Sequence, residues 1–367
     1  MNGPVRGLPL PYRESVIRNP QWDLAVPSSV FAQLVNDPFG DPALLVGLRW
    51  ERRALLFDLG DLMAASPTDL LKVQQVFVSH AHIDHFIGFD HLLRTILGRG
   101  RTVQDFVPPG IAGNVAGKLA GYTWNLLEDY TLVFEAHEVH TDRIAVTTFE
   151  AECRWAQQEA GDRPFAGALL ADPHFTVEAA PLDHRIPSLA FSLTERFHIH
   201  VLRGQVEAMG LAVGPWLNEL KRLIWAGAPD ETPVRARRAA AGGAAEAVFP
   251  LSELRARLTR ITRGQKLTYV ADAIYSAPNI ERIVALAKDA DLFYCEAAFL
   301  DRDVSRSRDR YHLTARQAGA LARAAGAKRL IVFHHSPRYR QDPAELYAES
   351  RAAFAGTLAA PPPLDAA

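Results

Sequence analysis

The sequence has few cysteines and no long hydrophobic run. Its 367 residues include two cysteines, Cys153 and Cys295, which are too few for the disulfide framework of a small secreted protein. No run of about 18 apolar residues predicts a membrane span. Residues 1–18 contain prolines and scattered charges in place of the apolar segment of a secretory signal. We therefore expect a cytoplasmic protein that does not insert into membranes.

A strong excess of charge of either sign is also missing. The chain has 40 Lys and Arg residues against 42 Asp and Glu residues, which gives a formal net charge of −2. Such a protein has no overall positive field, so any binding of nucleic acid must depend on a local basic patch. A hydrophobic share of 48% is ordinary for a globular protein, and the length suffices for one large domain or two ordinary ones.

The order of strand-like and helical patterns predicts an α/β protein. Strand-like runs predominate early in the chain, for example at residues 54–59 and 76–78. Later, strands alternate with helices, which we place around residues 279–288 and 314–325. This order is typical of the αββα four-layer arrangement, in which two sheets lie between layers of helices. We expect residues 1–354 to form a single domain of this kind.

Residues 196–264 and 355–367 do not fit this pattern. The first segment contains Gly214-Pro215 and then, from Pro229 to Ala247, a stretch rich in Ala, Gly and Arg. This composition predicts a mobile linker or arm inserted into the domain. The second segment is rich in Ala and Pro and is expected to be a disordered tail.

The inserted arm contains cationic and aromatic residues whose role is open. They could bind an RNA backbone and stack on its bases. A solvated linker with a buried tryptophan pair, or a dimer contact, would explain them equally well. The residues are Lys221, Arg222, Arg235, Arg237, Arg238, Trp216 and Trp225.

The motif His-Ala-His-Ile-Asp-His directly follows an apolar strand and predicts a metal centre. In an extended backbone, residues two apart point the same way, so the first two histidines can bind one ion together. The aspartate and the last histidine can face a second ion. Imidazoles with a carboxylate suit Zn²⁺, and also Mn²⁺ or Fe²⁺ as the carboxylate share rises. The candidate ligands of this motif are His80, His82, Asp84 and His85.

A centre of two ions needs further ligands, and three candidates lie at the ends of strand-like runs. His184 lies just before such a run, whereas Asp272 and His334 directly follow one. The carboxylate of Asp272 can bridge two ions and hold them about 3.5–4 Å apart. Each residue alone could be an ordinary polar residue at a strand end. Together, in this order, they favour the interpretation as metal ligands.

With these motifs the chain resembles the metallo-β-lactamase superfamily and, within it, the ribonuclease Z branch of tRNA 3′-processing endonucleases. The histidine motif is shared by the whole superfamily, and the similarity extends over residues 56–339. Further segments are similar to those of the branch. They are Cys295-Glu296-Ala297-Ala298-Phe299, His312-Leu313-Thr314-Ala315, His334-His335-Ser336-Pro337-Arg338-Tyr339 and the Gly214-Pro215 of a protruding arm.

The chain departs from the family pattern at three places. Cys295 replaces a histidine, and Ala271 and Ala273 flank Asp272 where Gly and Thr are usual. Residues 58–62, Asp-Leu-Gly-Asp-Leu, replace an acidic turn of the Gly-Glu-Gly-Thr type. None of these changes removes a candidate ligand.

The resemblance implies ligand sets, catalytic roles and a homodimer. By it, His80, His82 and His184 would hold one ion and Asp84, His85 and His334 the other, with Asp272 shared. Glu296 and His312 would form a catalytic pair. Arg338 would bind a substrate phosphate, and the arm would hold tRNA.

Residues of these types can cleave a phosphodiester. Two ions lower the pKa of a bridging water from about 15.7 towards about 7, which yields a hydroxide nucleophile that Asp84 can orient. His312, if hydrogen-bonded to Glu296, would donate a proton to the leaving 3′-oxygen, because a nearby carboxylate raises the pKa of a histidine. In the alternative interpretation, His312 only precedes a helix N-cap at Thr314, and Glu296 is a structural carboxylate.

The sequence thus predicts a metal-dependent phosphodiesterase, an endoribonuclease that removes the 3′ trailer of precursor tRNA. Two other enzymatic functions would use the same centre. One is hydrolysis of small or cyclic nucleotide diesters, and the other is hydrolysis of lactones or β-lactams, which does not need a Glu296–His312 pair. A structural or sensing metal site is a non-enzymatic alternative.

Overall fold

Two large sheets face each other at the centre of the protein. The computed structural model describes residues 16–18 (backbone only), 30–48, 52–127, 129–239 and 246–364. Within these residues, one sheet has seven strands in the spatial order β1 (Val16–Arg18), β19 (Arg329–Phe333), β18 (Leu292–Glu296), β17 (Lys266–Val270), β12 (Pro187–Glu195), β11 (Phe175–Asp183) and β10 (Ala168–Ala171). The other has eight, in the order β2 (Val30–Leu34), β3 (Leu44–Leu48), β4 (Ala54–Phe57), β5 (Val73–Phe77), β6 (Thr102–Val107), β7 (Val133–Val139), β8 (Arg143–Glu150) and β9 (Gln157–Pro164).

Helices cover the outer face of each sheet. On the eight-stranded sheet they are α1 (Pro67–Leu70), α2 (Ile83–Phe86), α3 (Phe89–Ile96) and α4 (Ile111–Ala120). On the seven-stranded sheet they are α8 (Ala277–Leu286), α10 (Ala315–Ala324) and α11 (Ala344–Ala355). The predicted αββα layering is therefore the layering of the structure. None of the helices in the described part of the chain is long and apolar enough to span a bilayer.

A dry aromatic core holds the two sheets together. The rings of Phe57 and Phe77, on neighbouring strands, stack with centroids 4.8 Å apart. Phe191, from the opposite sheet, packs 5.6 Å from Phe77, and Tyr269 packs 5.9 Å from Phe57. All four side chains are fully buried. Because large aromatic side chains fix both the distance and the register between the sheets, this core sets the relative positions of the strand ends that bear the site.

The strands next to the site are parallel in both sheets. Strand β4 pairs in parallel with β5, and β5 with β6. Strand β17 pairs in parallel with β18, and β18 with β19. Since the carboxyl ends of parallel strands meet at one edge of a sheet, the residues that follow these strands lie close together.

The helical segment that follows the histidine motif is interrupted in the structure. Gly88 separates α2 from α3, and its Cα packs against the turn that follows β4. A Cβ at this position would meet the carbonyl oxygen of Gly60 and lie 2.8 Å from Leu62 Cγ. The glycine therefore allows the histidine motif to approach the turn that begins at Asp58.

The segment 196–264 is an ordered insertion in its described residues, which corrects the prediction of a mobile linker. It contains β13 (Phe197–Val201), α5 (Arg203–Ala208), α6 (Trp216–Trp225), β14 (Pro233–Arg237), β15 (Glu246–Pro250), α7 (Leu251–Leu258) and β16 (Thr259–Arg263). Strand β13 pairs with β16 and β14 with β15. Leucines and other apolar side chains from these elements form a small core of their own. Residues 240–245, at the centre of the Ala/Gly/Arg-rich stretch, lie outside the described residues.

The C-terminal segment also differs from its prediction as a disordered tail. Residues 356–364 lie along the domain, where the backbone N–H of Leu364 donates to the carbonyl of Tyr275 at 2.7 Å. The side chain of Arg316 donates to the carbonyl of Ala359 at 3.0 Å. One carbonyl of this segment thus accepts from a side chain of the domain, and one of its N–H groups donates to a carbonyl of the domain. Residues 365–367 lie outside the described residues.

The packing of α10 against α11 yields a stability prediction. A Cβ at Gly319 of α10 would meet the carbonyl oxygen of Ser350 and lie 2.7 Å from Ala353 Cβ of α11. We expect Gly319→Ala to destabilise the protein by about 1–3 kcal/mol, because the added methyl overpacks a closed interface. Denaturant unfolding followed by circular dichroism measures this change.

The matched control is Gly117→Ala in α4, where a Cβ meets no atom within 4 Å. There the substitution should be neutral or stabilise the helix by up to about 1 kcal/mol, because Ala is the better helix former. Equal unfolding midpoints for the two variants would mean that the two helices do not pack this closely.

Candidate metal centre

The histidine motif lies at the junction of β5 and α2, on the edge of the eight-stranded sheet. Ser79 follows β5, and His82 precedes the first residue of α2 with an extended backbone. Asp84 and His85 therefore lie in the first turn of a helix. The side chains of His80 and His85 are fully buried, whereas Asp84 is about one third exposed, at 37%. The motif thus presents two buried imidazoles and one accessible carboxylate.

The seven-stranded sheet supplies the other candidate ligands from its own strand ends. Asp272 follows β17 by two residues, and His334 follows β19 directly. Glu296 is the last residue of β18, which lies between these two strands. His184 follows β11, where the chain turns towards β12. The structure therefore places the predicted residues of this sheet along one edge, opposite the histidine motif.

The ligand atoms of these residues form overlapping groups within 4.8 Å of one another. One group contains His80, His82, His184 and Asp272, and a second contains Asp84, His85 and His334. Asp272 Oδ2 lies 3.6 Å from His80 Nε2, 3.4 Å from His184 Nε2 and 3.5 Å from His85 Nε2. The carboxylate of Asp272 thus lies between the two groups. All seven residues predicted as ligands come together.

The candidate ligand atoms lie close together, yet hydrogen bonds among them do not satisfy all of them, whereas a divalent cation would. His80 Nε2 and His82 Nδ1 lie 2.9 Å apart, although at most one proton can lie between them. His334 Nδ1 lies 2.7 Å from Asp272 Oδ1, yet both atoms lack a hydrogen-bond partner among the described residues, as does the buried His85 Nε2. Burial of unpaired polar atoms is costly, and a bound cation would satisfy them. Imidazole nitrogens with carboxylate oxygens are ligands for such an ion.

For three of the five candidate histidines, neighbouring groups fix which ring nitrogen faces the centre. His184 Nδ1 donates to the carbonyl of Tyr311 at 2.7 Å, and His85 Nδ1 donates to Asp58 Oδ2 at 2.9 Å. His80 Nδ1 lies 3.0 Å from the hydroxyl of Ser79. The Nε2 atoms of His80 and His184 are thus left without a proton, and that of His85 becomes free when the residue loses its second proton. All three are directed at the centre, which is the usual support for metal-binding histidines.

Asp58 is the buried carboxylate on which several of these contacts depend. Its Oδ1 accepts from the backbone N–H of Ser79 at 2.6 Å. Its Oδ2 accepts from the Ser79 hydroxyl, from His85 Nδ1 and from the Tyr269 hydroxyl, each at 2.9 Å. Asp58 thus orients His85 directly and His80 through Ser79, and it connects this motif to the opposite sheet.

The electrostatics of the protein without metal favour the ligand forms of most of these residues. Burial lowers the pKa of His80 to about 2 and the pKa of His184 to about 4. Burial would lower the pKa of His85 too, but the carboxylates of Asp272 and Asp58 raise it to about 10. Burial would raise the pKa of Asp84, yet the hydrogen bond from His334 lowers it. Burial would lower the pKa of His334 as well, but the carboxylate of Asp272 raises it. A metal ion would therefore displace protons from His85 and His334 when it binds.

Glu296 and His312 form a hydrogen-bonded pair beside the centre. Glu296 is fully buried, and its Oε1 accepts from the backbone N–H groups of Ala273 and Leu313 at 2.8 and 3.2 Å. Its Oε2 lies 2.9 Å from His312 Nδ1. Burial would lower the pKa of His312, but the charges of Asp272 and Glu296 raise it. The Nδ1 proton is thus held by Glu296, and Nε2 is directed away from it.

The position of His312 is fixed by the helix that follows. As the sequence predicts, Thr314 is the N-cap of α10, and it forms a capping box with Gln317. The preceding Tyr311 has a left-handed backbone, with φ of 57°. Asp58 and His334 also have positive φ, 57° and 58°. Such a conformation costs free energy in a non-glycine residue, and it is found where side chains are held for function.

Arg338 lies at the edge of a cavity beside this pair. It follows β19 in the 3₁₀ turn Pro337–Tyr339, and its guanidinium lies 5.7 Å from the ring centroid of Phe299 and 3.6 Å from Asp303 Oδ1. The cavity has a volume of about 270 Å³ and is also lined by His312 and His334. Arg338 is therefore placed to contact a substrate that reaches the centre.

Asp58, Tyr269 and Tyr311 support the site although their roles were not predicted from the sequence. Asp58 was noted only as part of an unusual acidic turn, although an aspartate directly after a buried strand is a signal for such a site. Tyr269 lies within a strand, and its contact with Asp58 spans 211 residues of sequence. Tyr311 acts through its backbone carbonyl, which leaves no sequence signal at all.

Replacement of Asp58 tests its role in metal binding. Asp58→Asn puts an NH₂ group either against the backbone N–H of Ser79 or among the three donors that converge on Oδ2. In either orientation two donors face each other, which disturbs the hydrogen bonds that orient His85. We expect metal affinity to fall about 10- to 100-fold, as for other groups that orient metal ligands. Competition with a fluorescent chelator measures this loss.

Tyr269→Phe is the matched control, because it removes one donor to Asp58 and leaves the carboxylate in place. Its effect on metal affinity should be much smaller. If Asp58→Asn binds metal as tightly as the wild-type protein does, the carboxylate does not control the tautomer of His85.

Known proteins with similar sequences and structures identify the fold and the family. The chain is 32% identical to ribonuclease Z of Deinococcus radiodurans over 84% of its own length and 91% of that protein. It is 29% identical to ribonuclease Z of Thermobifida fusca over 85% of its length and 84% of that protein. The solved metallo-β-lactamase fold protein YhfI from Bacillus subtilis is similar with a TM-score of 0.50 at 16% identity, covering 89% of this chain and 94% of that one, which confirms the predicted fold. No protein-family model matches the sequence. Identity of this extent over nearly all of its length shows that the chain belongs to the ribonuclease Z family.

Proposed function

We propose that the protein is a metal-dependent endoribonuclease that removes the 3′ trailer of precursor tRNA and leaves a 3′-hydroxyl. The observation that supports this most directly is the Glu296–His312 pair, which borders both the seven-ligand centre and an open cavity. A phosphodiesterase needs a proton donor for a poor leaving group at this position. The relatives of this protein bear the name ribonuclease Z, which supports RNA as the substrate.

The centre would hold two divalent ions, and we propose zinc for both. His80, His82 and His184 would hold one ion, and Asp84, His85 and His334 the other, with Asp272 shared between them. Five of these seven ligands are imidazoles, which zinc favours over magnesium or calcium. When bound, two such ions supply a nucleophile from water at neutral pH and neutralise charge on the phosphate oxygens.

The side chains around the centre would manage the protons of the reaction. The attacking water oxygen forms a bond to phosphorus, and the carboxylate of Asp84, the most exposed of the ligands in its group, accepts the proton that the water loses. The bond from phosphorus to the 3′-oxygen breaks, and His312 donates its Nε2 proton to that oxygen. Glu296 stabilises the cationic form of His312 before the transfer. The products are a tRNA 3′-hydroxyl and a trailer with a 5′-phosphate.

Arg338 would bind the phosphate that is cleaved. Its guanidinium can donate two hydrogen bonds to the non-bridging oxygens, whose charge increases in the transition state. The ring of Phe299 and the carboxylate of Asp303 restrict its position. Because the residue is pre-positioned, little side-chain entropy is lost when the phosphate binds.

The role of His312 yields a prediction that depends on the leaving group. His312→Ala should lower kcat for precursor tRNA by about 10²- to 10⁴-fold, because a ribose 3′-oxygen leaves poorly without a proton. Hydrolysis of bis(p-nitrophenyl) phosphate should fall by less than about ten-fold, because p-nitrophenolate leaves unprotonated. Steady-state kinetics on both substrates measure the difference.

His91→Ala, in α3 on the outer face of the domain, is the control and should leave both rates unchanged. Equal losses on the two substrates would show that His312 does not act as the proton donor. Activity of the wild-type protein on the small diester alone would instead support a phosphodiesterase of small substrates.

The inserted segment 196–264 would hold the body of the tRNA. Strand β14 buries Val234 and Ala236 and exposes Arg235 and Arg237 on its other face. A cavity of about 500 Å³ lies between α6 and the turn before β11 and is lined by Lys221, Trp225 and His174. Exposed arginines on one element of the insertion and an aromatic cavity on another suit an RNA backbone and its bases.

The two exposed arginines of β14 allow a test of this role. Arg235→Gln together with Arg237→Gln should raise KM for precursor tRNA several-fold and reduce the slope of log K against log salt concentration by about 1–2. Hydrolysis of bis(p-nitrophenyl) phosphate should not change, because this substrate is too small to reach the insertion. An unchanged salt dependence would contradict RNA binding by this face.

Arg351→Gln, on the exposed face of α11, is the control for a general loss of charge. The homodimer that the family resemblance implies stays a prediction, and light scattering of the purified protein tests it.

A further inference from the structure

Two arginines outside the family motifs border the cavity beside His312. Arg306 and Arg310 belong to α9 (Val304–Arg310), and both are exposed to solvent. They line the same cavity of about 270 Å³ as His312, His334 and Arg338. Residues four apart lie on the same face of a helix, so the two guanidinium groups reach the cavity from one side.

Helix α9 is held in a fixed relation to His312. Ser307 of α9 is fully buried, and its hydroxyl donates to the carbonyl of His312. The backbone N–H of His312 donates to the carbonyl of Ser307 at 2.9 Å. Because these two bonds connect the helix directly to the proposed proton donor, Arg306 and Arg310 occupy a defined position relative to the leaving group.

The guanidinium groups of Arg306 and Arg310 differ from those of nearby arginines in their ion pairs. Nearby arginines have partners: Arg302 pairs with Glu345, and Arg338 lies 3.6 Å from Asp303. Within the part of the chain that the structure describes, neither Arg306 nor Arg310 forms a salt bridge. Two like charges side by side repel each other, and an anion between them removes this cost.

We propose that Arg306 and Arg310 form a subsite for the backbone phosphate on the 5′ side of the leaving nucleotide, a proposal that rests on the proposed function. His312 donates its proton to the 3′-oxygen of that nucleotide. The nucleotide therefore lies in the cavity that His312 borders, and its own 5′-phosphate points away from the centre. The unpaired guanidinium groups are the cations available there, and they match phosphate oxygens in geometry.

The subsite formed by Arg306 and Arg310 would bind a different phosphate from the one that Arg338 binds. Arg338 is restricted by Phe299 and Asp303 and lies next to His334, a ligand of the centre. It suits the phosphate that is cleaved. Arg306 and Arg310 line the cavity from α9. In this proposal they contact a phosphate that does not react, so they position the substrate without taking part in bond cleavage.

The test uses a synthetic acceptor-stem RNA with a 3′ trailer. One version has a normal backbone, and the other has a neutral methylphosphonate at the phosphate on the 5′ side of the leaving nucleotide. The enzymes are the wild-type protein, the double variant Arg306→Gln/Arg310→Gln, and the control Arg308→Gln. Arg308 is an exposed residue of the same helix that does not line the cavity.

We expect the double variant to lower kcat/KM for the normal RNA by about 10- to 100-fold, the loss typical of charge-assisted hydrogen bonds. The wild-type protein should lose a similar factor on the methylphosphonate RNA. The methylphosphonate should not lower kcat/KM of the double variant any further, because the phosphate charge and the guanidinium charges that bind it are then both absent. Arg308→Gln should cleave like the wild-type protein.

The small diester bis(p-nitrophenyl) phosphate has a single phosphate, so its hydrolysis reports whether the double variant has an intact centre. The rate of this hydrolysis should be unchanged in the double variant. If the double variant cleaves the normal RNA as fast as the wild-type protein does, the subsite is wrong while the endoribonuclease function stands. Equal sensitivity of both enzymes to the methylphosphonate would overturn it in the same way. Absence of RNA cleavage by the wild-type protein would instead overturn the proposed function.

Discussion

The buried carboxylate of Asp58 is the contact on which the geometry of the centre depends. It accepts four hydrogen bonds, two from Ser79, one from His85 and one from the Tyr269 hydroxyl. Ser79 and His85 belong to the edge of one sheet, and Tyr269 belongs to the opposite sheet. The four donors compensate this buried carboxylate for the hydration that it has lost. The carboxylate of Asp58 therefore joins the two sheets. It fixes the orientation of His85 directly and that of His80 through Ser79.

This arrangement couples the packing of the sheets to the geometry of the site. The candidate ligands come from the strand ends of both sheets, so no ligand group is complete until the sheets are correctly packed. The aromatic core around Phe77 sets their separation, and Asp272 lies where residues of the two edges meet. Side chains that must meet within a few ångströms tolerate little displacement, because interiors are close-packed. A change in the inter-sheet core far from the centre can therefore weaken metal binding without touching a ligand.

The ligands could be predicted from the sequence, whereas the groups that orient them could not. His80 and its motif follow an apolar strand, and His334 ends another, so local patterns sufficed to place them. The contact of Asp58 with Tyr269 spans 211 residues, and no local pattern indicates it. The order of the layers followed from the alternation of strands and helices. The insertion was predicted, but its ordered strands were missed, because the strand Pro233–Arg237 alternates arginine with small apolar residues, a weak signal inside a stretch of low complexity.

A centre of this kind does not by itself select a long RNA over a small diester. In the proposed mechanism, the centre and the Glu296–His312 pair act only on the phosphate that reacts and on its leaving oxygen. Selection requires contacts that a long substrate makes and a small one cannot, because specificity is a difference between two binding free energies. The chain offers such contacts at two separate places, the exposed face of β14 in the insertion and the face of α9 beside His312. Since neither place supplies a ligand, evolution can alter the substrate preference of this protein while the chemistry of its centre is retained.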